Sequence, residues 1–155
     1  MAVEVQRVPQ VADPPAGTVV FLIGMRVNSL WKVHRWVPSF LAMIRMLTEL
    51  HRQREYGFLA ARTWLARTVV VVQYWRSMDE LMAYAHDLDA EHRPAWARFN
   101  RAVGDNGAVG IYHEAYVVDP ARTHTVYRNM PPFGLGAATA HRPQRSAPVP
   151  SGDGS

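Results

Sequence analysis

The chain has 155 residues, of which 48% are hydrophobic and 19% charged, the profile of one globular domain. It has no cysteine, which excludes disulfides, thiolate-held zinc, iron–sulfur clusters and a thiol nucleophile, and fits a cytoplasmic setting. The net charge of +4 rests on scattered arginines and one lysine, Lys32, so nucleic-acid binding, which needs cations gathered on one face, is not expected.

Residues 1–16 are rich in proline and polar groups, have no apolar leader, and read as a flexible N-terminal arm. Thr18–Val27 is β-branched and apolar, which predicts a strand. Trp36, Phe40, Met43, Leu47 and Leu50 recur at three and four, predicting an amphipathic helix from Pro38 to about Gln53. Pro38 belongs to its first turn, where a missing N–H costs little. Gly57 opens a second strand, Phe58–Leu65, and Arg67–Trp75 forms a third.

Ser77 and Glu80 have capping-box spacing and start a second helix with Leu81, Tyr84 and Leu88 on one face. Pro94 predicts a break and restart near His92, with Trp96 and Phe99 turned inward on the restarted helix. Val109–Val118 is the fourth strand; His124–Tyr127 could add an edge strand, and Asn129–Gly136 an apolar cover. Residues 137–155 have the composition of a disordered tail, so the folded unit is expected at 17–136.

Strand, helix, strand, strand, helix, strand is the ferredoxin-like βαββαβ plan of an α+β protein. The first and third strands are apolar at nearly every position, so both faces of the sheet are expected to be covered, helices on one and a second copy on the other. That predicts a homodimer through the sheet face; the chain's own ends are the other cover considered. The apolar runs Val19–Ile23 and Val69–Val72 are too short to span a bilayer, and no membrane partner is expected.

The blocks IGMRVNSLWKVHRWVPSFLAMIRML, GFLAARTW, QYWRSMDELMAYAHDLDAEHRPAWARFNRAVGDNGAVGIYHEAYVV and YRNMPPFGLG resemble the antibiotic-biosynthesis monooxygenase superfamily. Within it they are similar to the family of the fumagillin-pathway monooxygenase, from about Phe21 to Gly136. The resemblance implies a dimeric α+β barrel, a role in secondary metabolism, and oxidation of an aromatic, polyketide or terpenoid intermediate without a cofactor. Such chemistry is open to a protein that deprotonates a phenol or enol, holds the anion in a dry pocket and stabilises the oxygen-derived anion. It calls for a histidine base, an amide or guanidinium donor and apolar walls.

His92 is the first candidate for the base, or else caps the restarted helix. Asn28 and Arg26 share one side of the first strand. They are candidate donors to a carbonyl, peroxide or enolate oxygen, or else a turn residue and an ion-pair partner. Trp75, Tyr84, Trp96, Phe99 and Asn100 are candidate pocket residues, with core packing as the alternative for the aromatics. His113 and Glu114 are adjacent in a strand and must point to opposite faces. His113 could line the pocket, and Glu114 reads as an interface residue.

No spacing suited to a metal site or a phosphate loop is present. Three rival readings remain. One is a haem enzyme, since haem-degrading members of the superfamily place an axial histidine at the end of this helix, as Tyr84 and His92 roughly reproduce. The others are a non-catalytic protein binding a hydrophobic metabolite, and a cyclase or isomerase using the same pocket.

Overall fold

The computed structural model describes residues 5–52, 56–86 and 107–144. A short strand β1 (Gln10–Ala12) is followed by β2 (Val19–Val27), α1 (Val33–Arg52), β3 (Phe58–Trp64), β4 (Thr68–Trp75), α2 (Met78–His86) and β5 (Val109–Val117). The four long strands form one antiparallel sheet in the order β3-β4-β2-β5. With the connecting helices this is the expected ferredoxin-like α+β fold.

Register assigns the two faces. Val19 pairs with Trp75 of β4 and Val117 of β5, and Met25 with Val69 and Ile111. The odd-numbered residues of β2 therefore face the helices. Two apolar clusters form there. Val19, Leu50, Phe58, Trp75, Leu81 and Tyr84 make one, and Met25, Val27, Val69 and Val109 make the other, against Trp36, Phe40 and Met43 of α1.

Helix α1 starts at Val33, about a turn before the expected Pro38, which lies inside it. Trp36 explains the extension. Its ring packs on the second cluster, and its Nε1 donates to the Leu30 carbonyl at 3.1 Å. Anchoring that turn outweighs the one backbone bond that Pro38 cannot make.

Helix α2 starts as the capping signal implies. The Glu80 N–H donates to Ser77 Oγ at 3.2 Å, and the Glu80 carboxylate meets Arg76 at 2.7 Å. That carboxylate lies where a Cβ on Gly57 would sit, and Gly57 has φ of +82°, so the position is closed to other residues on both counts.

The second face of the sheet is covered in part by the chain's own ends. Helix α3 (Gly134–Ala138) brings Leu135 onto Tyr74 and Val118, with Val20, Val72 and Ala60 around them. Strand β1 pairs with β6 (His141–Pro143), Gln10 opposite Pro143 and Ala12 opposite His141. Segments expected in the arm 1–16 and the tail 137–155 thus meet as a two-stranded ribbon. Tyr127, expected in an edge strand, makes a single bridge to Gln10.

Burial holds the Tyr74 phenol above its ordinary pKa of 10.0, with Tyr127 adding to the rise and Arg62 opposing it. The unfolded phenol ionises first as pH climbs, so its linkage leaves stability unchanged below pH 10 and lowers it above. Tyr74→Phe is expected to flatten the loss of the urea midpoint between pH 9 and pH 11. Equal losses in the two proteins would show that other groups govern the alkaline limb.

Candidate active site

An open groove lies between the flank of α1 and the edge strand β3. Its volume is about 480 Å³, within the range of small-molecule sites. Phe40, Met43 and Leu47 supply one stripe of α1, Ile44, Thr48 and Arg52 the next, and Thr63 and Leu65 the opposite wall. Two stripes line it because β3 is the last strand of the sheet, so no further strand closes that flank.

His51, with Thr48, Arg52 and Thr63, makes the polar part of this groove. Its Nδ1 lies 2.7 Å from the Leu47 carbonyl. A carbonyl can only accept, so Nδ1 carries the hydrogen, and in the neutral ring Nε2 keeps its lone pair. The ring also stands edge-on to Phe58, with centroids 5.1 Å apart, which fixes its plane. Arg52 lines the same groove. His51 and Arg52 form the basic last turn of α1, where positive charge offsets the carbonyl end of the helix. An oriented proton acceptor, a nearby guanidinium and apolar walls can deprotonate a weak acid and hold its anion.

Sequence reasoning followed the stripe through Leu47 to Leu50 and passed over His51. The available signal was a histidine four residues beyond Leu47, continuing the apolar row at helical spacing.

The predicted site residues are scattered. His113 pairs with Ile23 and faces the helix side, exposed, its ring 6.0 Å from Phe21. Glu114 points to the other face and accepts a 2.6 Å hydrogen bond from the Tyr116 hydroxyl. Arg26 is also on that other face, where Nη1 donates to Thr68 Oγ1 at 3.0 Å.

Asn28 closes the strand end. Its Nδ2 donates to the Gly107 carbonyl at 3.0 Å, and its carbonyl accepts from Arg67 at 3.2 Å. Arg26 and Asn28 are therefore not brought together with His113. Trp75 is fully buried and donates to Gln73 Oε1 at 3.0 Å, and Tyr84 donates to Glu49 at 3.1 Å. With Phe58 and Tyr56 they form a run of packed rings in the core rather than cavity walls. His92, Trp96, Phe99 and Asn100 lie outside the described residues. Among the described residues no three His, Asp or Glu side chains converge as a metal site, and no helix is long and apolar enough to cross a membrane.

Monooxygenase af470 of Aspergillus fumigatus is 27% identical over 136 residues, covering 80% of this chain and 47% of that protein. The chain thus spans about half the length of the curated relative it matches. Among solved structures, a protein of unknown function from Bacteroides thetaiotaomicron, a possible oxidoreductase, overlaps with a TM-score of 0.50 at 13% identity, covering 67% of this chain and 100% of that one. SnoaB, a cofactor-independent oxygenase from Streptomyces nogalater, overlaps with a TM-score of 0.49 at 14% identity, covering 67% and 95%. The Bacteroides likeness bears on the fold alone. The family model of monooxygenase af470-like proteins matches residues 18–135, from the buried start of β2 to the Leu135 cover. The chain belongs to the monooxygenase af470-like family.

Proposed function

We propose that the chain is a cofactor-independent monooxygenase acting on an aromatic, polyketide or terpenoid intermediate of secondary metabolism, with the substrate in the groove between α1 and β3. Membership of a monooxygenase family supports the reaction class. The observation that carries the site is His51, its Nδ1 tied to the Leu47 carbonyl inside an apolar groove. Nε2 takes the proton of a phenol or enol, and Arg52 offsets the charge of the resulting anion. The electron-rich anion reduces dioxygen, a carbon–oxygen bond forms, and the hydroperoxide loses water. For a phenol with a free ring position the balance is phenol plus dioxygen to quinone plus water.

His92 is the alternative base under this proposal. The homodimer belongs to it as well, with the partner on the part of the second face around Leu22, Tyr112 and Tyr116. That part lies beyond the cover made by Leu135 and also carries Glu114, opposite Leu22 and hydrogen-bonded to Tyr116.

The test is oxygen uptake by purified protein with a panel of fused-ring phenols, alongside an absorption spectrum before and after adding haem. The expected result is one dioxygen consumed per phenol, insensitive to chelators, with no Soret band. A Soret band lost in His92→Ala would replace this reading with a haem enzyme. Tight phenol binding without oxygen uptake would leave a binding protein.

A further inference from the structure

At one end of the sheet the loop after β2, the β3–β4 turn and the start of β5 come together. The Val27 N–H donates to the Arg67 carbonyl at 3.0 Å, and the Asn28 N–H to the Ala108 carbonyl at 2.9 Å. This end carries large apolar side chains in the open. Trp31 is 97% exposed, Leu65 67%, Leu30 56% and Val33 50%. A monomeric surface rarely groups such residues without a partner.

The loop is a built turn. The Lys32 N–H donates to the Ser29 carbonyl at 3.2 Å, the Arg35 N–H to the Lys32 carbonyl at 2.8 Å, and Trp36 Nε1 to the Leu30 carbonyl at 3.1 Å. Leu30 and Trp31 are thus held outward by bonds on either side of them.

Among the described residues, the charged side chains around them are cations. Residues 14–48, 56–78 and 107–113 contain no Asp or Glu. The same end carries Arg26, Lys32, His34, Arg35 and Arg67.

We propose that this end of the sheet docks on an anionic lipid bilayer, with Trp31, Leu30 and Leu65 entering the interface and Lys32, Arg26 and Arg67 facing the headgroups. A tryptophan beside leucines and cations is the composition that a headgroup boundary accepts, because the ring and alkyl groups leave water while the charges stay at the phosphates. Nucleic acid would meet the cations but leave Leu30, Val33 and Leu65 in water. A two-fold contact with a second copy would set like charges against one another. The expectation of no membrane partner rested on the lack of a spanning segment, which surface docking does not need. Leu65 also borders the groove between α1 and β3, so Trp31, which lies outside it, is the position that separates this inference from the proposed reaction.

The experiment is co-sedimentation of the full chain with vesicles of phosphatidylcholine alone and of phosphatidylcholine mixed with phosphatidylglycerol. Binding to the mixed vesicles only is expected, weakening as salt rises. Trp31→Ser and Leu65→Ser are each expected to weaken it by about tenfold, and Lys32→Ala by a smaller factor. Both apolar positions are exposed, and circular dichroism checks that the variants fold. No binding to mixed vesicles overturns the proposal. So does undiminished binding by Trp31→Ser, or its loss only on Arg142→Ala in the far ribbon. A dimer in gel filtration that Trp31→Ser dissociates, without vesicle binding, would assign the patch to a second copy.

Discussion

Replacing His51 with alanine is expected to lower phenol-dependent oxygen uptake by about 10²–10⁴-fold, the span of a lost general base. The fold should survive, because His51 is exposed at the end of α1 and its main contacts are the Leu47 carbonyl and the edge of Phe58. The loss should fall on kcat rather than KM, since the walls that hold the substrate are Phe40, Met43, Ile44 and Leu47. Arg52→Ala should cost less, because the guanidinium acts on charge and leaves the proton transfer in place. Unchanged uptake in His51→Ala with a dead His92→Ala would move the base to His92 and empty the groove of its role.

The fold was legible because it is written in periodicity. Residues 68–72 are β-branched at successive positions, residues 19–25 are apolar apart from Gly24, and α1 repeats apolar side chains at three and four. Those signals come from burial and do not depend on which chemistry the domain hosts. The cover on the second face was harder to read. It depends on Leu135 reaching Tyr74 across more than fifty residues and on β1 finding β6, pairings between short segments with little pattern of their own.

The site was least legible for a related reason. Trp75 and Tyr84 are aromatic in a small domain, which serves a core and a cavity equally well at the level of sequence. Only register shows Trp75 turned inward opposite Val19. Arg26 is on the face of β2 opposite to that of His113, and Asn28 follows the strand's last residue, Val27. Alternation tells which residues go together and leaves open which group meets the helices.

Gly24→Val is expected to abolish folding, and Gly24→Ala to lower stability by about 1–3 kcal/mol, the cost of overpacking a closed site. Gly24 is in the middle of β2, paired with Val70 on one side and Tyr112 on the other. A Cβ there would collide with the Val69 carbonyl oxygen and come within 2.8 Å of Tyr112 Cε1 and 3.0 Å of its hydroxyl. The tyrosine ring can turn aside. The carbonyl cannot, because β4 is held in the ladder by β2 and β3 together. Tyr112→Ala should therefore rescue Gly24→Ala only in part, and the shortfall measures the backbone share of the clash. Gly110 is the control on the neighbouring strand: a Cβ there meets nothing nearer than Asn28 Nδ2 at 3.9 Å. Gly110→Ala should leave the urea midpoint nearly unchanged. Equal midpoints for Gly24→Ala and Gly110→Ala would mean that β2 relaxes away from β4, and that the close approach is not a constraint on the sheet.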